Sequence, residues 1–429
     1  MNKFRKIAKI PTGGVVKDTS KLLFANVFAQ ALGLAVYPIL SRLYAPDDFG
    51  LLNLFLSIGG VMILFATGQY HCAVVLPKTQ QEGNACFQLG MLINAAVLLL
   101  LLLSVPFSTS IASLFNAPAL ASWYFLLPLY VFLMASWQLL NYWYVRQKSY
   151  NRISWYQVTQ SATSATGKIA FGYGGFMPGG LMVATVLAPV VALLTTLLRS
   201  YKKLAALCQV DGALCKKMAS VYRKFPQFTL PKSIVNYVSN NLPTLLLVPF
   251  FGLTEIGYWG MAMALAFTPI YQVSHSLYQV LFQHVVDRVN QRQHIGAFMA
   301  KIMGTLVGGM LLLFVPLYWL LPSLVEWLLG SNWAVVATYI RFLLPWLLVV
   351  TLYTCTDFVV DIFNKQDKQF YFELALLLVR LLAVIPGILL QDFMVSIVCF
   401  VMGSCLLRVG YIVYLCVLIK KYEKSIAGN

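Results

Sequence analysis

The sequence is dominated by runs of about 20 mostly apolar residues, separated by short connections. A helix of that length spans the hydrocarbon core of a bilayer. Lipid offers the backbone no hydrogen-bond partner, so a spanning segment must satisfy its own N–H and C=O groups, as a helix does. The runs therefore predict a bundle of transmembrane helices.

Composition supports a membrane protein. The 429 residues are 60% hydrophobic and 10% charged, with a mean hydropathy of +0.76, whereas soluble domains carry about 25% charged residues. A soluble protein with a net charge of +17 would suggest nucleic acid as a partner. Here the excess has a local cause, the placement of Lys and Arg on one side of the membrane, so no nucleic-acid partner is expected.

The fold class predicted is an all-α integral membrane protein with twelve transmembrane helices in two six-helix lobes. The first apolar run is long and leads directly into further spans, so no removable secretory signal is expected. The predicted spans are 20–42, 48–76, 85–110, 119–145, 153–173, 177–198, 227–251, 254–286, 296–321, 335–363, 369–390 and 393–419.

Basic residues set the expected orientation. Most of the 31 Lys and Arg residues lie in the two termini and in alternate connections, while connections such as "LYAPDDFG" and "GYGGFMPGG" have none. Cytoplasmic loops carry the excess of Lys and Arg. The sequence therefore predicts that both termini are cytoplasmic.

The longest connection divides the chain into an N-terminal lobe (1–198), a basic cytoplasmic linker (199–226) and a C-terminal lobe (227–429). A short internal echo accompanies this division, since 48–51 reads Asp-Phe-Gly-Leu and 255–258 reads Glu-Ile-Gly-Tyr. Two six-span repeats would be related by an axis along the membrane normal, with the substrate path between them. The echo is also typical of a helix start with an acidic first turn and a small residue for close packing.

No catalytic or metal-binding motif emerges. Gly167-Lys168 is followed by Ile169 rather than Ser or Thr, so it is not a phosphate-binding loop. Of the eight cysteines, only Cys208 and Cys215 form a loop pair, and their spacing is not that of a common metal site. We expect a transporter rather than an enzyme, with neither disulfides nor a bound cofactor.

Charged residues inside the spans are the informative ones, because each costs about 2.5–3.5 kcal/mol at a helix centre. Others, including Asp361 and Glu373, lie close to predicted span ends. The residues that remain at depth are Lys168, Lys232, Arg380, Arg408 and Asp357. Lys168 lies in the outer half of its span.

Two spans carry polar stripes. Lys232, Asn236 and Asn240 share one helix face, and Gln160 lies near Lys168 in span 5. His275 is the only histidine at depth, and a hydrogen-bonded buried histidine is an alternative to a proton site there. A cavity with these residues suits an anion that carries many hydroxyl groups. Asp357 and His275 are candidates for coupling to H⁺ or Na⁺.

Several stretches resemble bacterial polysaccharide-biosynthesis flippases. They are "ATGQYHCAVVLPKTQQEGNA", "LNYWYVRQKSYNRIS", "YRKFPQFTLPKSIVNYVSNNLPTLLLVPFFGLTEIGYW" and "LLGSNWAVVATYIRFLLPW". They occur in the family's order between about residues 20 and 390. His71 stands where the family often has Glu. The chain thus resembles the Wzx-type polysaccharide transporters, within the superfamily that includes multidrug (MATE) exporters and lipid II flippases.

The resemblance implies a V-shaped helical bundle in the bacterial cytoplasmic membrane. It implies alternating access and export of an undecaprenyl-pyrophosphate-linked oligosaccharide, the repeat unit of O-antigen, capsule or exopolysaccharide. It also implies a cationic cavity, for which Lys168, Lys232 and Arg380 are the first candidates here. Expected partners are the lipid-linked glycan, membrane lipid, and a polysaccharide polymerase with other assembly proteins.

Other classes fit less well. A drug exporter of the same fold would need unpaired carboxylates for organic cations, and Asp357 is the only deep acidic residue against four deep basic ones. A major-facilitator transporter would carry a Gly/Asp/Arg-rich loop where this chain reads "LPKTQQEGN". A membrane glycosyltransferase or ligase would need large outer loops with acidic groups, and a scaffold would need no buried charges.

Overall fold

The computed structural model describes residues 12–201, 207, 211–363 and 365–427. Within these ranges the chain is helical and has no β-strand. The first helices are α1 (Thr12–Leu43), α2 (Pro46–Thr67), α3 (Tyr70–Ala73), α4 (Gln80–Ser104), α5 (Ser108–Leu114), α6 (Ala119–Trp123), α7 (Leu126–Arg146), α8 (Tyr150–Tyr173), α9 (Gly179–Leu198) and α10 (Gly212–Val221). Then follow α11 (Leu230–Asn240), α12 (Leu242–Ala262), α13 (Thr268–Asn290), α14 (Gly296–Leu329), α15 (Ala334–Thr354), α16 (Phe358–Ile362), α17 (Gln366–Ala383), α18 (Ile385–Leu390) and α19 (Phe393–Ala427).

The predicted all-helical membrane architecture is confirmed. Each predicted span lies mainly in helix. Among the described residues, eight helical segments are long and apolar enough to cross a membrane. α8 is not one of them, since its polar residues include Gln160 and Lys168. The chain is thus a multi-pass membrane protein, and the number of twelve spans stays a prediction.

The chain divides into two compact units. In the described residues, the first unit comprises α1 as far as Leu40, Gly59–Ser108 and Ser122–Pro231. The second unit comprises Ser41–Ile58, Thr109–Ala121 and the chain from Lys232 onward. The lobes 1–198 and 227–429 and the cytoplasmic linker 199–226 stay a prediction, and Lys202 and Lys203 of that linker lie outside the described residues.

Part of the predicted linker forms a regular helix in the first unit. The Asp211 carboxylate caps α10 by accepting hydrogen bonds from the N–H groups of Ala213 (3.0 Å) and Leu214 (3.1 Å). The apolar face of α10 buries Cys215 and Met218 in the same core cluster as Trp143 and Tyr144. α10 is therefore anchored to the bundle by its apolar face.

In the first unit, Arg146 joins two of the stretches on which the family resemblance rests. Its Nη1 donates to the carbonyl oxygens of Val74 (3.0 Å) and Pro77 (2.9 Å), and its Nη2 donates to that of Thr79 (2.7 Å). The guanidinium therefore satisfies the Val74 and Pro77 carbonyls in the connection between α3 and α4, and it adds a second donor to the Thr79 carbonyl, which also accepts from Gly83 N–H (3.2 Å).

In the second unit, α2 crosses α12 at a point of backbone contact. α12 is broken at Gly252, where φ is 81° and ψ is −179°, so its second half starts as a new helix. A Cβ atom on Gly50 would overlap the Leu253 carbonyl, and one on Gly257 would overlap the Pro46 carbonyl. The two helices can approach this closely only because both positions are glycine.

This crossing is reciprocal at the spacing of the internal echo. Gly50 and Gly257 are the two glycines of the echo, and each meets the residue four positions before the other. The Thr254 hydroxyl donates to the Asp47 carboxylate across the same offset of 207 residues. The two segments of the echo therefore form the two sides of one helix contact, as the close-packing interpretation predicts.

Substituting Gly50 or Gly257 with Ala should lower the thermal unfolding temperature of the purified protein in detergent. The added methyl group forces the two backbones apart, and overpacking of this kind costs about 1–3 kcal/mol. Gly304→Ala is the matched control, because a Cβ there meets no atom within 4 Å and the change favours a helix by about 0.5–1 kcal/mol. Equal melting temperatures for Gly257→Ala and Gly304→Ala would contradict the prediction.

Arg146→Met should expose the connection between α3 and α4 to protease. The Val74 and Pro77 carbonyls lose this donor, at a cost of up to about 1–3 kcal/mol, so the segment around exposed Lys78 opens more often. Limited trypsin digestion would then cut after Lys78 faster than in the unchanged protein. Arg223→Met, at an exposed position on the chain after α10, should leave that rate unchanged.

Candidate functional site

The second unit contains a cavity of about 740 Å³ with charged and aromatic walls. That volume lies in the range of small-molecule sites, roughly 300–1,000 Å³. Residues of α11, α13, α15, α17 and α19 supply most of the wall. The lining residues are Lys232, Asn236, Tyr237, Asn240, Phe267, Tyr271, His275, Tyr278, Trp346, Val350, Tyr353, Thr354, Asp357, Gln369, Glu373 and Arg408.

One wall is the polar face of α11, as the i, i+4 spacing of its residues predicts. Lys232 Nζ lies 3.4 Å from the Gln369 side-chain oxygen. Asn240 Nδ2 donates to the Asn236 side-chain oxygen at 3.2 Å. All three predicted residues on this helix, Lys232, Asn236 and Asn240, are exposed to the cavity.

Arg380 lies behind this wall rather than on it, with a side chain that is 0% exposed. Its Nε donates to the Ser404 hydroxyl (2.9 Å), and its Nη1 donates to Ser239 Oγ (2.7 Å) and Asn240 Oδ1 (3.0 Å). The guanidinium also lies 4.8 Å from the centroid of the Phe400 ring. Arg380 therefore positions Asn240, which does line the cavity.

Arg408 lies in the cavity wall and is 7% exposed. Its guanidinium packs near two rings, 5.7 Å from the Trp346 centroid and 5.4 Å from the Tyr353 centroid. Its Nε and Nη1 have no hydrogen-bond partner among the described residues. A buried cation without a carboxylate partner costs free energy, and such residues in membrane spans mark functional sites.

Two carboxylates share the cavity with the two cations. Asp357 Oδ2 accepts a hydrogen bond from Gln369 Nε2 at 2.8 Å, and its Oδ1 has no partner among the described residues. Glu373 is 8% exposed and accepts from Asn236 Nδ2 (3.2 Å) and the Tyr353 hydroxyl (3.1 Å). Neither carboxylate forms an ion pair with a described residue.

Glu373 is a site residue that the sequence analysis set aside. Its position close to the start of a predicted span suggested a side chain reaching water at the membrane surface. The structure instead buries it among hydrogen-bond donors from α11 and α15. The signal that could have found it is its spacing on α17, four residues after Gln369 and seven before Arg380, which puts all three close to one face of the helix.

A row of stacked rings follows one face of α13, and we refer to Phe267, Tyr271, His275, Tyr278 and Phe282 as the aromatic ladder. Successive ring centroids are 5.3, 6.0, 5.9 and 6.1 Å apart. The first four rings line the cavity. A π-helical turn, Met263–Phe267, precedes α13, and such turns are frequent at functional sites. Of these five residues, only His275 is a site residue predicted from the sequence. The spacings between successive rings, four, four, three and four residues, nevertheless predict that all five share one helix face.

Lys168 and Gln160 do not line this cavity, because both lie on α8 of the first unit. Lys168 is half-buried there. Gln160 Nε2 lies 3.7 Å from the Met134 sulfur atom. Their role as substrate contacts stays a prediction.

The described residues contain no cluster of His, Cys, Asp and Glu that could hold a metal ion. The seven described cysteines are free thiols. Cys208, half of the loop pair considered in the sequence, lies outside the described residues.

Replacing Arg380 with Met should destabilise the second unit. Ser239, Asn240 and Ser404 would lose their shared partner, at a cost of about 1–3 kcal/mol, visible as a lower thermal unfolding temperature in detergent. Arg380→Lys should lie between Met and Arg, because an ammonium group keeps the charge but not the planar fork of donors. Lys301→Met, at an exposed position of α14, is the control. Equal melting temperatures for Lys301→Met and Arg380→Met would contradict the prediction.

Solved structures of membrane transporters share this fold. An inward-facing multidrug-resistance MATE-family transporter of the MOP superfamily aligns with a TM-score of 0.74 at 13% identity, covering 92% of this chain and 96% of that one. The lipid II flippase MurJ aligns with a TM-score of 0.73 at 12% identity, covering 95% and 90%. The eukaryotic MATE transporter AtDTX14 aligns with a TM-score of 0.58 at 14% identity, covering 96% and 100%. Identities this low establish the fold alone.

Sequence comparison identifies the family. A search of curated proteins finds no significant match, but the family profile described as "Polysaccharide biosynthesis protein" matches residues 39–338. This confirms the resemblance seen in the motifs, and the fold is one that solved transporters and flippases share. Because the match extends over more than half of the sequence, the chain belongs to the polysaccharide biosynthesis protein family.

Proposed function

We propose that the protein moves an undecaprenyl-pyrophosphate-linked oligosaccharide, the repeat unit of O-antigen, capsule or exopolysaccharide, from the cytoplasmic to the outer leaflet by alternating access. The observation that carries this proposal is the cavity of the second unit, which is polar and charged in a family described by polysaccharide biosynthesis. A lipid-linked glycan needs such a path for its head group, while its tail stays in lipid.

The predicted site residues have different proposed roles. Lys232, Asn236, Asn240 and Arg408 offer donors to the head group from the cavity surface, and Arg380 holds Asn240 in place. Lys168 and Gln160 form a second contact region on α8. The cation of that region, Lys168, favours a substrate that carries a pyrophosphate.

The membrane potential assists transport in this direction. With the inside negative, moving one negative charge outward gains up to about 2.3 kcal/mol per 100 mV. Asp357 and His275, both at the cavity, are the proposed sites for coupling to H⁺ or Na⁺. We place the protein in the bacterial inner membrane with both termini cytoplasmic, next to lipid, the polysaccharide polymerase and other assembly proteins.

A cation-coupled drug exporter is the second candidate, and two observations favour it. Asp357 and Glu373 are carboxylates without an ion-pair partner among the described residues, and aromatic rings line the same cavity. Carboxylates and ring faces attract organic cations. Against this candidate, Lys232 and Arg408 share the cavity and repel such a substrate.

Transport in proteoliposomes separates the two candidates. Undecaprenyl-pyrophosphate-linked oligosaccharide would be placed in one leaflet and its arrival in the other followed with an added glycosidase. Ethidium uptake under a proton gradient would be followed in parallel. Flipping of the lipid without ethidium transport supports the proposal. Ethidium transport without flipping would contradict it, and the protein would then share only its fold with flippases.

Lys232→Ala and Lys168→Ala should each slow flipping by about tenfold or more. The loss of one charge-assisted hydrogen bond to the head group, sugar or pyrophosphate, corresponds to about 1.5–3 kcal/mol. Lys301→Ala is the control, because this exposed lysine on α14 lies outside the cavity. Initial flipping rates of folded, reconstituted variants provide the measurement, and unchanged rates for both Lys232→Ala and Lys168→Ala would assign these lysines a structural role.

A further inference from the structure

The charged side chains that line the cavity of the second unit balance, and Arg380 lies behind them with its Nε and Nη1 engaged by neutral partners. Lys232 and Arg408 contribute two positive charges, and Asp357 and Glu373 contribute two negative ones. A pyrophosphate diester carries two negative charges and would face both carboxylates at close range. Like charges brought together in a poorly hydrated site repel strongly. The cavity as a whole is therefore better suited to a neutral, hydrogen-bonding ligand than to a pyrophosphate.

The polar groups of the wall supply both donors and acceptors. Asn236, Asn240 and Gln369 provide amides, and the carboxylates and cations provide charged acceptors and donors. Sugar hydroxyl groups donate and accept at once, so a ring with several hydroxyls can pair with such a mixed set. An organic cation would use only the acceptors and would leave Arg408 unpaired.

The aromatic ladder provides the complementary apolar surface. Its upper rings are accessible, since Tyr271 is 43% exposed and His275 is also exposed. Its lower end is packed, because Tyr278 and Phe282 each meet Phe358, with centroids 5.8 and 5.9 Å apart. Core packing thus accounts for the lower rings but not for Tyr271. From Phe267 to Tyr278, the four rings that line the cavity extend roughly 16 Å along the helix, enough for more than one sugar ring.

We propose that the aromatic ladder and the charge-balanced polar residues that line the same cavity bind the sugar rings of the substrate, so that this cavity recognises the glycan and not the pyrophosphate. The C–H faces of sugar rings carry partial positive charge and pack on the negative faces of aromatic rings. Tyr271 provides the central accessible ring, and the amides of α11 pair with the hydroxyl groups. The inference rests on the proposed flippase function and specifies which part of the substrate the second unit recognises.

Binding measurements with the separated halves of the substrate test this assignment. Lipid-linked oligosaccharide would be extracted from membranes of cells that carry the protein, and mild acid would release its free oligosaccharide. The two probes are that free oligosaccharide and undecaprenyl pyrophosphate, each titrated against the purified full-length protein by thermophoresis. Tyr271→Ala should weaken binding of the oligosaccharide about tenfold and leave binding of undecaprenyl pyrophosphate unchanged.

Two matched variants test whether the loss of affinity in Tyr271→Ala comes from misfolding. Tyr271→Phe keeps the ring and should bind the oligosaccharide within about threefold of the unchanged protein, because Tyr271 makes no hydrogen bond among the described residues to lose. Tyr371→Ala makes the same chemical change on α17 at a residue that is 63% exposed and outside the cavity, and should change neither affinity.

The outcomes separate this inference from the proposed function. The sugar assignment is overturned, and the flippase function stands, if the protein flips the intact lipid but Tyr271→Ala binds the free oligosaccharide normally. The same conclusion follows if Tyr271→Ala weakens binding of undecaprenyl pyrophosphate as much as binding of the oligosaccharide. If the unchanged protein flips no lipid and Tyr271→Ala loses ethidium binding instead, both are overturned. Selective loss of the oligosaccharide with Tyr271→Ala, and not with Tyr271→Phe or Tyr371→Ala, supports the assignment.

Discussion

The second unit depends on a buried guanidinium that is held by neutral partners. Arg380 of α17 donates to α11 through Ser239 and Asn240 and to α19 through Ser404. From Asn240 the hydrogen bonds continue through Asn236 to Glu373. In a lipid-surrounded bundle, a charge without partners costs several kcal/mol, so this chain of contacts fixes how the helices around the cavity pack. The polar wall that α11 gives the cavity therefore depends on the hydrogen bonds of this one cation.

The cavity is not the uniformly cationic site that the spans suggest. Counting charges along the sequence gives an excess of deep Lys and Arg, yet Arg380 lies behind the wall and Glu373 lies in it. What remains at the surface is balanced. This balance favours the sugars over the pyrophosphate as the ligand of the cavity. Lys168, on the first unit, is then the predicted contact for the anion.

The sequence predicts the helices well, because lipid leaves the backbone few alternatives and apolar length alone marks a span. It predicts the polar face of α11 for the same reason, since i, i+4 spacing needs no tertiary information. It does not predict Glu373, because the distance of a carboxylate from water depends on which helices cover it. It also misses the aromatic ladder as a site, because the spacing of its rings predicts one helix face but not that this face lines a cavity.

The glycine crossing of α2 and α12 has a mechanical consequence. Its contact surfaces are main-chain atoms at Gly50 and Gly257, which have no side-chain rotamers to order and no charge to titrate. Since each glycine meets the carbonyl four residues before the other, a tilt that opens one contact loosens its counterpart. The close approach of the two backbones therefore depends on packing alone, and the hydrogen bond from Thr254 to the Asp47 carboxylate is the part of the junction that can respond to pH.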